Sequence, residues 1–152
     1  MKIKLNGISR LERDIEYLNT HAVIVGVIGK YSDLDVGGTK VWEYAIMLNN
    51  GTINMPARPF FDRVVTTKKA QKKILKRQAK LFRDVIYNRM TPRRALEILG
   101  EYMVERIKRE IMSGNFAPLA PSTIAQKTQN KDKILREHDN LLNSVDFEVI
   151  RI

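Results

Sequence analysis

The chain has no cysteine and only two histidines, His21 and His138, in 152 residues. The first absence removes disulfides, thiolate nucleophiles, iron–sulfur clusters and every cysteine-bearing zinc motif. The second leaves no histidine-rich metal centre. Apolar runs are short, and none nears the roughly 18–20 residues that cross a bilayer. The opening Met-Lys-Ile-Lys-Leu-Asn lacks the apolar segment of a secretory signal. A soluble intracellular protein with no membrane partner is expected.

What is present is an apolar fraction of 43% and a formal net charge of +10. The length suits one domain spanning 1–152, a size that buries roughly 68–70% of its unfolded surface. The charge is unevenly placed. Between Arg63 and Gly114 there are 15 basic and 5 acidic residues, net +10, and the rest of the chain balances 12 against 12. A basic surplus favours polyanionic partners such as nucleic acid, anionic membrane or an acidic protein surface, without choosing among them.

Periodicity organises the chain. Ile8, Leu11, Ile15 and Leu18 mark a short amphipathic helix, with Ser9 and Glu12 as a capping box. Residues 22–28, Ala-Val-Ile-Val-Gly-Val-Ile, read as a buried strand. A loop over 29–40 holds Gly37-Gly38. Val41 to Leu48 reads as a two-turn helix with Trp42, Ala45, Ile46 and Leu48 on one face, or as a strand, and Asn49-Asn50-Gly51 ends it.

Met55-Pro-Ala-Arg-Pro-Phe-Phe61 follows as a stiff connector, since Pro56 and Pro59 fix φ and push their predecessors toward extended backbone. The pattern predicts a long helix over 61–89. Thr91-Pro92 starts a second, over 92–113, with Leu99, Met103, Ile107 and Ile111 inward and Gly114 as its stop. Ser122 to Lys127 forms a short helix capped by Ser122, and 131–136 a polar turn. Asp139 caps a turn at Leu141-Leu142, and 145–151 is a closing strand with Val145, Phe147 and Val149 on one side. The expected fold is α+β, a small sheet of 22–28 and 145–151 packed against two long helices.

Lys68, Lys69, Lys72, Lys73, Lys76, Arg77, Lys80 and Arg83 fall within sixteen residues that contain no acid. At about 100° per residue they share one half of a helix circumference, with Ile74, Leu75, Leu81, Phe82 and Val85 in the other. Like charges at i,i+4 cost a few tenths of a kcal/mol per pair. Solvation at ordinary ionic strength offsets that cost, and so does an anionic partner, whether DNA or an acidic protein ring. No recognised DNA-reading module surrounds the stretch, so any DNA contact would be phosphate-directed and non-specific.

Catalytic patterns fail on inspection. Gly26-x-x-Gly29-Lys30 has Ile24 and Tyr31 where a phosphate loop needs glycine and Ser or Thr. Asp33, Asp35 and Glu43 read as solvated loop acids before they read as ligands of a divalent ion. Glu137-His138-Asp139 places an imidazole between carboxylates but has no nucleophile beside it. His21 reads as a surface histidine, and the Trp42/Tyr44 pair as core or subunit contact before binding platform. Arg58 pairs with a neighbouring subunit's carboxylate or caps carbonyls of its own chain, and Phe60 anchors the core. No enzyme, no cofactor and no metal are expected.

Several stretches, taken in order, resemble the small tail-completion and neck proteins of tailed bacteriophages, the virion morphogenesis group. They are Val25-Gly-Val27 with Tyr31, Glu43-Tyr-Ala45, Asn50-Gly51, Met55-Pro-Ala-Arg-Pro-Phe60, Ala95-Leu96 with Leu99-Gly100, Ala117-Pro-Leu-Ala-Pro-Ser-Thr-Ile124 with Lys127, and Asn143-Ser144-Val145. The resemblance covers residues 22–150. It departs at 135–141, Leu-Arg-Glu-His-Asp-Asn-Leu, where the group's Thr-Gly turn is missing. It implies a structural virion protein at the head–tail junction or tail, made in the host cytoplasm and working as a homo-oligomeric ring. Its implied partners are other neck and tail proteins: head–tail connector, tail terminator or tail tube. The expected contact residues are Pro56, Arg58, Pro59 and Phe60 of the connector and the eight cations between Lys68 and Arg83, with loops near 29–40 and 128–140. The alternative is a non-specific nucleic-acid-binding protein that uses the 68–83 face.

Overall fold

The computed structural model describes residues 6–136 and 138–152. In chain order it contains α1 (Asn6–Thr20), β1 (His21–Val27), α2 (Val41–Asn50), α3 (Asp62–Val65), α4 (Lys68–Ile86), α5 (Pro92–Ser113), α6 (Pro121–Gln126), α7 (Asn140–Ser144) and β2 (Val145–Arg151). The helix α5 is central because it packs against α1, α3, α4 and both strands. Thr91 accepts a hydrogen bond from the Arg94 amide, Pro92 opens the first turn, and Gly114 closes the helix at φ 66°. Met103, Ile107 and Ile111 pack with Ala45, Leu48, Phe60, Val64, Leu141 and Val145. Toward its start, Ala95 and Leu99 pack with Leu81 and Val85 of α4. Tyr102 touches both clusters.

The sheet has two strands, β1 and β2, paired antiparallel from His21↔Arg151 to Val27↔Val145. This register puts Val23, Val25, Val27, Val145, Phe147 and Val149 on one face. That face lies on α5, where Gly100 leaves the space that the Phe147 ring occupies. The architecture is the expected one, a single α+β domain with a small sheet and two long helices, α4 and α5.

Several boundaries differ from expectation. The single 61–89 helix is two, because Thr67 is extended and its hydroxyl accepts from the Ala70 amide, which starts α4 afresh after the short α3. Helix α1 begins at Asn6, so Ser9 and Glu12 lie inside it rather than at its cap. Ile8 and Ile15 of its expected apolar stripe are exposed, and Arg10 docks the helix instead, donating to the Val85 and Ile86 carbonyls that end α4. Ala120 rather than Ser122 stands at the α6 cap, since Pro121 takes the first helical position. Asp139 precedes α7 but makes no side-chain cap, because Arg136 holds its carboxylate at 2.7 and 3.1 Å.

Candidate assembly surface

The outer sheet face is a direct consequence of having only two strands and one helical layer. Ala22, Ile24, Gly26 and Ile28 point away from α5, opposite Ile150, Glu148 and Asp146. The strand expected to be buried is therefore covered on one side only, and Ile24 is 43% exposed. Residues 21–27 make no backbone hydrogen bond to backbone beyond the β1–β2 ladder, so the far edge of β1 is unpaired among the described residues. A long edge strand without charge or proline invites pairing with another chain, and natural proteins rarely leave one bare.

Helix α2 adjoins this face. Its buried residues are Val41, Ala45 and Leu48, which turns Trp42 and Ile46 outward and divides the one face expected of Trp42, Ala45, Ile46 and Leu48. Trp42, Ile46, Gly26, Val27 and Phe61 line a shallow groove of about 280 Å³. Apolar surface of this kind, with Asp146 and Glu148 across the ladder from Gly26 and Ile24, is the composition of a protein-docking patch. Tyr44 is also exposed, but it lines a different groove, so the two aromatics form no common platform.

That second groove, about 460 Å³, runs between Met55-Pro56, the 118–127 segment and 135–141. Arg58 is only 4% exposed and donates from Nε to the Ala117 carbonyl at 3.3 Å and from Nη2 to the Pro118 carbonyl at 3.4 Å. Of its two expected roles, capping carbonyls of its own chain is the one observed. Phe60 is a core anchor at 1% exposure, whereas Pro56 is exposed and Pro59 half-buried. Lys127 is buried as well, its Nζ donating to the Asn130 carbonyl at 2.9 Å and the Lys133 carbonyl at 2.6 Å. The elbow, the 117–127 segment and the turn before α7 thus converge, fastened by two buried cations.

The third surface is the basic half of α4. Ala70, Leu81 and Val85 are its buried residues, and all six lysines are exposed. Leu75, placed by rotation in the apolar half, is exposed as well, because it sits at the border farthest from α5. Among the described residues none of the eight cations makes an ion pair. The acids of α5 are engaged elsewhere. Glu97 pairs with Arg93 and Arg94, Glu101 with Arg94, Glu105 with Arg109, and Glu110 with Arg63. Hydrogen bonds from Arg93 and Arg94 hold the Glu97 carboxyl below its ordinary range. Arg77 of α4 and Arg106 of α5 each lie 5.5 Å from the ring centroid of Tyr102. Arg77 Nε and Arg106 Nη1 are buried and have no hydrogen-bond partner among the described residues. A buried charged donor without an acceptor costs about 1–3 kcal/mol.

The remaining candidates do not converge. Asp33 pairs with Lys40, Asp35 accepts from the Gly38 amide, and Glu43 accepts from the Lys40 amide. No three His, Asp or Glu side chains group as metal ligands among the described residues. His21 stacks on Tyr17 at 3.8 Å between ring centroids. The Glu137-His138-Asp139 cluster falls partly outside the described residues, since Glu137 is not among them, and Asp139 belongs to Arg136. No helix of the described residues is long and apolar enough to cross a membrane. Sequence reasoning missed Ile24, Ile28 and Ile46 as exposed, Lys127 as buried, and Arg106 as a partner of Arg77 through Tyr102. Ile24 is exposed because two strands and one helical layer leave a sheet face bare.

Comparisons with protein-family models, with curated proteins and with solved structures each find no match.

Proposed function

We propose that this chain is a structural component of a tailed-phage virion, completing the tail or joining it to the head as one subunit of a ring. The observation that carries the reading is the β1 edge, unpaired among the described residues, and its outer face, continuous with Trp42 and Ile46 of α2. Covering apolar surface is worth about 25 cal/mol per Å², and an added strand would satisfy the unpaired backbone at the same time. Head-to-tail contacts between copies close a ring when the rotation closes. The other surfaces, the elbow groove and the loop around Gly37-Gly38, are left for the neck and tail proteins above and below.

A second support comes from the resemblance itself. The segments that carry it, Met55–Phe60 and Ala117–Lys127, are distant in sequence but are joined through Arg58. Residues that a resemblance selects and that also meet in space are consistent with one inherited structural unit. In this reading the chain transforms no substrate and needs no cofactor. Its site of action is the assembled particle, reached from the host cytoplasm. Deletion of its gene from a phage genome, followed by electron microscopy of the lysate, tests this. The expected result is separate heads and tails, or tails of aberrant length; intact infectious particles at normal yield would refute the reading.

A further inference from the structure

Arg77 and Arg106, both half-buried, approach Tyr102 from two different helices, each with Cζ 5.5 Å from the ring centroid. Neither has a carboxylate partner among the described residues, because the acids of α5 are taken by Arg63, Arg93, Arg94 and Arg109. From this cluster α4 extends its lysines, all exposed and all without ion pairs among the described residues. We infer that the exposed lysines of α4, together with the partly exposed guanidinium groups of Arg77 and Arg106, form a surface on α4 and α5 that binds the backbone of duplex nucleic acid.

The chemistry favours phosphate over protein carboxylates. Planar guanidinium groups bind phosphate and carboxylate alike, so the preference rests on the lysine row. The lysines follow the helix axis over sixteen residues, about 22–24 Å at 1.5 Å per residue. A duplex presents one charge per about 1.7 Å of its axis, so it can neutralise such a row in any register. An acidic protein would need carboxylates placed one by one. Sequence is not read, because the exposed cations of α4 are mostly lysines, which meet phosphates as point charges, and no DNA-reading module surrounds them. This inference stands apart from assembly: a monomer would show it as well as a ring.

Fluorescence anisotropy of a 20-base-pair duplex of arbitrary sequence, titrated with the full chain at several salt concentrations, tests it. With about five phosphates neutralised, log K against log salt has a slope of about −4.5, a loss of several-hundred-fold between 50 and 200 mM salt. Arg77→Lys with Arg106→Lys keeps the charge and removes the planar forks, so the slope holds while affinity falls about tenfold. Should that variant not fold by circular dichroism, Lys72→Gln/Lys76→Gln/Lys80→Gln decides instead, with a slope shallower by about 2.7. Poly-glutamate of equal charge serves as the protein-like competitor and is expected to bind at least tenfold more weakly than the duplex. The inference is overturned by no duplex binding at 50 mM salt, by poly-glutamate binding as tightly as DNA, or by unchanged affinity in the double lysine variant. If the triple variant is the one used, an unchanged slope overturns it.

Discussion

A methyl group added at Gly100 would lie 2.2 Å from Cδ2 and 2.4 Å from Cγ of Phe147, near the root of a ring that cannot swing aside. Alanine favours a helix interior by about 1 kcal/mol over glycine, but overpacking between α5 and β2 costs about 1–3 kcal/mol or more. Gly100→Ala is therefore expected to lower the urea midpoint despite its better propensity, and a raised midpoint would contradict the packing. Asp139 offers a different kind of test. The hydrogen bonds from Arg136 hold its carboxyl below the ordinary value of 3.8, against the opposing effect of partial burial. A carboxyl depressed in the folded state stabilises above its unfolded pKa, and that contribution fades as pH falls through the folded value. The stability gap between the native chain and Asp139→Asn should be steady above about pH 5, within about 1 kcal/mol, and close as acid is added. At this scale the sequence is informative only where chemistry is local. Phe60 reads as an anchor because it follows a stiff elbow. Lys127 carries no mark of its burial, because its two acceptors are carbonyls of a turn that forms only in the fold.

Helix α4 shows how an element reads from its sequence and where the reading stops. Its rotation correctly separates Leu81, 4% exposed, from the lysines, yet Leu75 in the same nominal half is 63% exposed. Leu81→Ala should cost about 2–5 kcal/mol in chemical denaturation. Leu75→Gln should stay within about 0.5 kcal/mol, as surface changes do. Equal effects would mean that the helix is rotated on α5. The start of α4 at Lys68 was hidden, since Thr66-Thr67 interrupts a periodic run without glycine or proline. The termini with strong local chemistry, Thr91-Pro92, Gly114 and Gly51, were legible. The bare outer side of β1 was not, because coverage of a strand depends on how many layers the whole chain supplies.

At the scale of the whole molecule, the lysines of α4 make no ion pair among the described residues, Arg93, Arg94 and Arg109 of α5 are paired, and exposed apolar groups include Ile24 of β1 and Trp42 and Ile46 of α2. The two surfaces are the ones on which the proposed assembly and the inferred duplex binding rest. We propose that β1 and α2 hold the chain in a virion. The most direct measurement is immunogold electron microscopy of particles assembled with an epitope-tagged native chain or with Ile24→Asp/Ile46→Asp, both outward-facing changes that leave the α5 core intact. The account predicts label at the head–tail junction or tail for the native chain and none for the folded variant. Unlabelled particles in the native sample, or equal labelling by the variant, would contradict it.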